Sequence, residues 1–209
     1  MKSMLAIALF ACAIAASSAA MQCNQTPLDM PMQWKDMQES CVDKVKQQIG
    51  EELKASMQYL AMGAHFSDYQ INRPGFAKMF FESASEERDH AIKLISYLLM
   101  RGELRQDVSN LIKKKYTPAA TTWASGMEAL KDALALEASV TKKIRDVVKV
   151  CEDDERFNDY HLVDYLTGEF LEEQYKGQRE IAGRISTLGK MMSKHSALGE
   201  FLYDKKLLS

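Results

Sequence analysis

The residues with chemical potential in this chain are an unusual set to find in helical stripes. Glu87-x-x-His90 places a carboxylate and an imidazole on one side of a helix, three residues apart. Glu52, Glu137 and Gln174 each interrupt an otherwise apolar line in other segments of the chain. A Glu-x-x-His pair with further inward-pointing glutamates is the donor set of carboxylate-bridged di-metal sites in helical bundles. Oxygen ligands with one imidazole and no thiolate suit iron or manganese better than copper or a structural zinc. Buried together without a cation, the carboxylates would repel one another and lose several kcal/mol of hydration each.

The elements that must position these groups follow from apolar periodicity. A first helix is expected over about Glu39–Asp68, its stripe being Val42, Val45, Ile49, Leu53, Met57 and Leu60. Glu52 and Tyr59 lie along one flank of that stripe, seven residues apart and so on one line, with Glu51 on the opposite, solvated face. Asn72 can cap a second helix, with Pro74 in its first turn, running to about Arg101. Its stripe of Phe76, Phe80, Ala84, Ala91, Leu94 and Leu98 needs one more core position, which Glu87 occupies. A third helix at about Thr122–Val150 carries Met127, Leu130, Leu134, Ile144 and Val148, and its stripe passes through Glu137 and Thr141. A fourth at about His161–Ser193 carries Val163, Leu166, Phe170, Gly177, Ile181, Ile185 and Leu188, with Gln174 as the missing member. A short fifth helix is expected at Ser196–Lys206.

Short turns join the first pair and the last pair of long helices, which makes each pair antiparallel. The connection of about twenty residues between the second and third is long enough to run the length of the bundle and make them parallel. The expected fold is therefore all-α: one four-helix bundle with a single long crossover and a short appended helix, occupying residues 39–209. Glu52, Glu87, Glu137 and Gln174 each fall about 13–15 residues, roughly 20 Å, from the start of their helix. They converge on one level of the core at mid-height.

Composition closes off other classes. The 209 residues are 46% hydrophobic and 27% charged, which fits a packed core and excludes a disordered chain. A net charge of −2 gives no case for nucleic acid or an anionic membrane surface. The Lys113-Lys114-Lys115 run reads as a solvated loop, and the 13 methionines as core filler. His65, His161 and His195 read as surface or capping groups. Residues 1–20, with Lys2, an apolar run from Met4 to Ala16 and small residues to Ala20, have the layout of a secretory signal. Residues 21–38 hold Pro27 and Pro31 and read as an arm; its sequon at Asn24 is followed directly by Pro27, a poor acceptor context. Nothing else supplies a membrane span.

An oxidising lumen would let disulfides persist. In the expected topology the start of the first helix and the end of the third lie at one end of the bundle. Cys41 and Cys151 occupy those positions and are expected to pair, leaving Cys23 on the arm for an interchain bridge.

At these residues the chain resembles the ferritins, and among them the secreted heavy-chain-type subunits of arthropods. The most telling stretches are E-E-L-K-A-S-M-Q-Y-L, F-A-K-M-F-F-E-S-A-S-E-E-R-D-H-A-I-K-L and F-L-E-E-Q-Y-K. The resemblance implies a ferroxidase centre for two irons. Glu52, Glu87 and His90 would hold one, and Glu87 would bridge to a second held by Glu137. Glu86, Tyr59 and Gln174 would support them. It implies oxidation of Fe²⁺ by O₂ and storage as ferric oxyhydroxide mineral inside a shell of about two dozen subunits. The neutral Gln174 amide, where a second Glu-x-x-His is absent, favours a site that releases its product. Asp164 matches a three-fold iron channel but Thr167 replaces its second carboxylate, for which Asp159 or Glu169 could substitute. Asp89 remains in the mineral-nucleating patch while Ile92 stands where Glu is usual, which implies co-assembly with a light-type subunit. On the fifth helix Leu198 and Leu202 match an apolar four-fold lining, with Lys206 in place of His. The alternatives are a catalytically silent shell subunit, which would require missing ligands, and a secreted cytokine-type bundle, which would have no reason for polar groups at one height.

Overall fold

The computed structural model describes residues 29–104, 110–111, 113–152 and 158–209. The expected signal segment, the Asn24 sequon and Cys23 lie outside the described residues. Among the described residues the regular structure is helical throughout. Helix α1 spans Glu39–Ser67, α2 Pro74–Met100 and α3 Gly126–Glu152. Helix α4 spans Tyr160–Tyr165 and passes through a π-helical turn at Leu166–Leu171 into α5, Glu172–Lys206. At Ser196, φ of 43° and ψ of −120° break α5, so the last eleven residues form the short appended helix. No helix is long and apolar enough to cross a membrane among the described residues.

Two covalent or polar ties fix the directions of the helices. A disulfide joins Cys41 in the first turn of α1 to Cys151 in the last turn of α3, with the Cα atoms 4.9 Å apart. Those helices therefore run antiparallel, as expected. At the other end, the appended helix presents two carboxylates one turn apart. Asp204 Oδ1 accepts from the backbone N–H groups of Gly75 at 2.8 Å and Phe76 at 3.1 Å, and Glu200 Oε2 accepts from Gly126 N–H at 2.9 Å. The helix starts of α2 and α3 thus share one end, which makes them parallel. Each carboxylate also sits where orphan N–H groups and the positive end of the helix dipole favour an anion. Gly75 is required here, because a Cβ would stand 2.0 Å from the Asp204 carbonyl oxygen.

Three sequence expectations need correction. Helix α3 begins at Gly126 and not Thr122, because Ser125 Oγ accepts from Glu128 N–H at 3.2 Å while the Glu128 carboxylate accepts from Ala124 N–H at 2.7 Å. The apolar stripe of α1 is rotated. Glu52 and Tyr59 are at its centre, at 0% and 1% exposure, while Met57 and Leu60 are exposed. Two apolar lines run along α1, and the line whose polar members find partners is the one that turns inward. In the fourth helix Leu162 is fully buried and Val163 only partly so.

The core is divided into two apolar clusters. One, toward the disulfide, contains Val45, Ile49, Leu94, Leu98, Ile144, Leu162, Leu166 and Phe170. The other, toward the appended helix, stacks Phe66 on Phe76 and Phe80 at 5.2 and 5.6 Å between ring centroids, and adds Leu130, Leu188 and Tyr203. In chain order the buried Glu87 and Glu137 fall between the members that α2 and α3 give to the two clusters, Gln174 falls between Phe170 and Leu188, and Glu52 lies three residues before Ala55, the last member that α1 gives to the first cluster.

Candidate metal centre

Helix α1 supplies Glu52, α2 supplies Glu87 and His90, α3 supplies Glu137 and α5 supplies Gln174; all five are buried. One ligand atom from each of Glu52, Glu87 and His90 lies within 4.8 Å of the others. Glu52 Oε2, Glu87 Oε2 and His90 Nδ1 are buried with no hydrogen-bond partner among the described residues. Unpartnered buried polar atoms are rare in proteins and need a reason. Three converging acceptors on two helices have an obvious one: a cation.

The electrostatics agree. Burial, reinforced by the neighbouring Glu87, drives the Glu52 carboxyl well above the usual carboxylate range. Burial, reinforced by Glu137, pushes Glu87 up to about 8. Without a counter-charge the group takes up protons in place of ionising, so a metal ion would displace them.

Surrounding residues hold the donors in place. Gln48 Nε2 donates to Glu52 Oε1 at 2.8 Å, leaving the other oxygen free. Tyr59 Oη donates to Glu137 Oε1 in a short hydrogen bond. His90 Nδ1 lies 3.6 Å from Glu87 Oε2, and His90 Nε2 lies 3.2 Å from Glu173 Oε2. Thr141 Oγ1 is 2.8 Å from both Gln174 Oε1 and the Glu137 carbonyl, and accepts from Gln178 Nε2 at 2.6 Å. A cavity of about 130 Å³, lined by Tyr59, Glu86, Glu87, His90, Glu137 and Gln174 among others, opens beside the group.

Glu52, Glu87 and His90 therefore form the tight group. Glu137 stands beside it, tied to Tyr59, and Gln174 is engaged by Thr141. Glu86 is exposed and lines the cavity. Gln48 and Glu173 were missed by the sequence reading. Gln48 lies one turn before Glu52 and could have been found; Glu173 lies beside Gln174 in sequence, off the stripe, and carried no such signal.

Other candidate residues fare differently. Asp164 and Glu169 are exposed, and Thr167 turns its hydroxyl back onto the Val163 and Asp164 carbonyls. Asp159 is no substitute carboxylate for iron: it is buried, caps α4 through Leu162 N–H and pairs with Arg101. His65 is not a free surface group but joins α1 to the crossover, with Nε2 2.9 Å from the Trp123 carbonyl. Glu51 is not simply solvated, since it pairs with Lys143 of α3.

The ferritin family's description of a ferritin-like domain matches residues 42–191. The chain is 58% identical to the ferritin heavy chain of Trichoplusia ni, over all of this chain and 98% of that one. It is 59% identical to the ferritin heavy chain of Papilio xuthus, with the same coverage, and 48% identical to that of Drosophila melanogaster, over 99% of this chain and 100% of that one. Among solved structures it is similar to the secreted ferritin of Trichoplusia ni, with a TM-score of 0.86 and 61% identity over 90% of this chain and 97% of that one.

Proposed function

The chain belongs to the ferritin family, and from that premise we propose that it is a ferroxidase and iron-storage subunit. The observation that carries this reading is the trio of buried, unpartnered acceptor atoms on Glu52, Glu87 and His90. Iron is the substrate. Glu52, Glu87 and His90 bind one Fe²⁺, and Glu87 is shared with a second held by Glu137. Two Fe²⁺ give up one electron each, and O₂ with two protons becomes hydrogen peroxide. Carboxylate oxygens are hard donors that favour Fe³⁺ over Fe²⁺, so the ligand set itself drives the oxidation. Tyr59 holds Glu137 in position, and Gln48 holds Glu52. Gln174, a neutral amide already engaged by Thr141, binds Fe³⁺ weakly and lets it move on to a ferric oxyhydroxide mineral inside a shell of about two dozen subunits.

Asp164 serves iron access on the exposed face of α4, weakly because Thr167 adds no charge. Ile92, exposed on α2, leaves the nucleating surface short of carboxylates and favours co-assembly with a light-type ferritin subunit. The disulfide and the layout of residues 1–20 fit a secreted or secretory-lumen protein, and Cys23 is the thiol available for an interchain bridge. A catalytically silent shell subunit would lack ligands, and this chain lacks none.

Anaerobic titration with Fe²⁺ tests the reading. Two tight equivalents per chain, with the first lost in Glu52→Ala and in His90→Ala, are expected. Undiminished binding in both variants would show that these residues do not hold iron.

A further inference from the structure

An unbroken line of ring contacts leads away from the iron centre. His90 lies 5.5 Å from Phe170, Phe170 lies 5.6 Å from Tyr165, Tyr165 stacks on Tyr97 at 5.0 Å, and Tyr97 stacks on His161 at 5.6 Å, all between ring centroids. The first member belongs to the centre and the last is exposed on α4. Tyr97 is itself buried at 4% exposure. Such separations are those of rings in packing contact.

The far end of the line is also arranged for a proton. The Tyr97 hydroxyl lies 2.9 Å from His161 Nδ1 and 2.7 Å from Arg101 Nη1. Arginine can only donate, which leaves the hydroxyl hydrogen free to point at His161 Nδ1 when that ring is in its Nε2–H tautomer. Arg101 is held in turn by Asp36 at 2.7 Å and Asp159 at 3.0 Å. Burial holds the Tyr97 phenol up at about 12, so it stays protonated and can lose an electron readily only if a base takes its proton. Tyr59 is tied to the centre more closely, but its hydroxyl bonds to Glu137, so its proton would remain inside the iron centre.

We propose that Phe170, Tyr165, Tyr97 and His161 form an electron relay that supplies the iron centre with a single reducing equivalent when peroxide meets a lone Fe²⁺. The proposal rests on the ferroxidase reading, whose reaction generates the peroxide. Reducing one H₂O₂ to two H₂O takes two electrons and two protons. A lone Fe²⁺ gives one electron and becomes Fe³⁺, and without a second the O–O bond breaks to release hydroxyl radical. Tyr97 gives the second through Tyr165, with Phe170 as the packed medium between Tyr165 and His90. The Tyr97 O–H bond breaks, its proton passes to His161 Nδ1, and a tyrosyl radical remains. The next Fe²⁺ to reach the centre returns one electron along the same line, becoming Fe³⁺, while a proton returns through His161. The net result is two Fe²⁺, one H₂O₂ and two H⁺ converted to two Fe³⁺ and two H₂O, with no free radical released.

The test uses the assembled full chain, loaded anaerobically with one Fe²⁺ per subunit, mixed with H₂O₂ and freeze-quenched for electron paramagnetic resonance. A tyrosyl radical is expected in the unmodified protein, reduced severalfold in Tyr97→Phe and in Tyr165→Phe, and reduced in His161→Gln. Oxidation of the His90 peptide, read by mass spectrometry, should rise in the same variants. Aerobic Fe²⁺ oxidation should keep its rate in all three, since the substitutions leave the donor set intact. No radical in the unmodified protein, or a radical of undiminished amplitude in the Tyr97→Phe/Tyr165→Phe double variant, overturns the relay even when aerobic oxidation is fast. Slow aerobic oxidation by the unmodified protein would instead overturn the ferroxidase reading.

Discussion

Glu87 meets Glu52 from α1, Glu137 from α3 and His90 from its own helix, and this crowding governs how the metal-free protein responds to pH. The folded carboxyl titrates at about 8, against 4.5 for an unperturbed one. The fold therefore holds a proton that the unfolded chain releases between those values, and Glu52 shifts in the same direction. Stability from this source is complete below about pH 4.5 and is lost as pH rises through 8. Thermal denaturation of iron-free protein should show a lower melting temperature at pH 8 than at pH 5 from this group, and Glu87→Gln should flatten the dependence. A slope unchanged in Glu87→Gln would remove Glu87 as its source. Iron bound at this group would replace the protons, so Fe²⁺ affinity should increase across the same interval.

At the scale of the elements, the appended helix acts as a clamp on two helix starts. Asp204 is fully buried and caps α2, whose own N-cap residue, Arg73, makes no side-chain cap. Asp204→Ala should cost about 0.5–2 kcal/mol, the usual range for a lost cap, and should speed hydrogen exchange in residues 196–206. Unchanged exchange there would show that the helix is held by packing alone. This contact was not legible in the sequence, because it joins residues 129 positions apart. The long helices were legible, since a 3.6-residue apolar period survives every polar interruption, and those interruptions marked Glu52, Glu87, Glu137 and Gln174. The π-helical turn at Leu166–Leu171 was not, because an extra residue per turn leaves no compositional trace. The choice between two apolar lines on α1 was equally hidden. It depends on Gln48 and Glu137 being present to bond Glu52 and Tyr59.

Across the whole molecule, the Cys41–Cys151 bridge closes a loop of 110 residues and ties the first and third helices at one end. The pairing was legible because the crossover length fixed the helix directions. Chain entropy assigns such a loop roughly 4–5 kcal/mol, an upper value. Reduction, or Cys41→Ala/Cys151→Ala, should lower the unfolding free energy by up to that amount, while the iron oxidation proposed for residues farther along the bundle is kept. Loss of rapid iron oxidation on reduction alone would show that the disulfide end of the bundle is coupled to the Glu52, Glu87 and His90 group. Shell composition is open to the same kind of test: native mass spectrometry should find a second, light-type chain beside this one. In the proposed centre Glu87 joins two irons. Stopped-flow mixing of iron-free shells with Fe²⁺ and O₂ tests it directly, comparing the unmodified chain with Glu87→Ala. The shells should still assemble, with stability near pH 8 held or raised because the carboxyl whose ionisation costs stability there is gone, and the initial oxidation rate should fall close to that of iron in buffer. An initial rate in Glu87→Ala equal to that of the unmodified protein would contradict the bridging role.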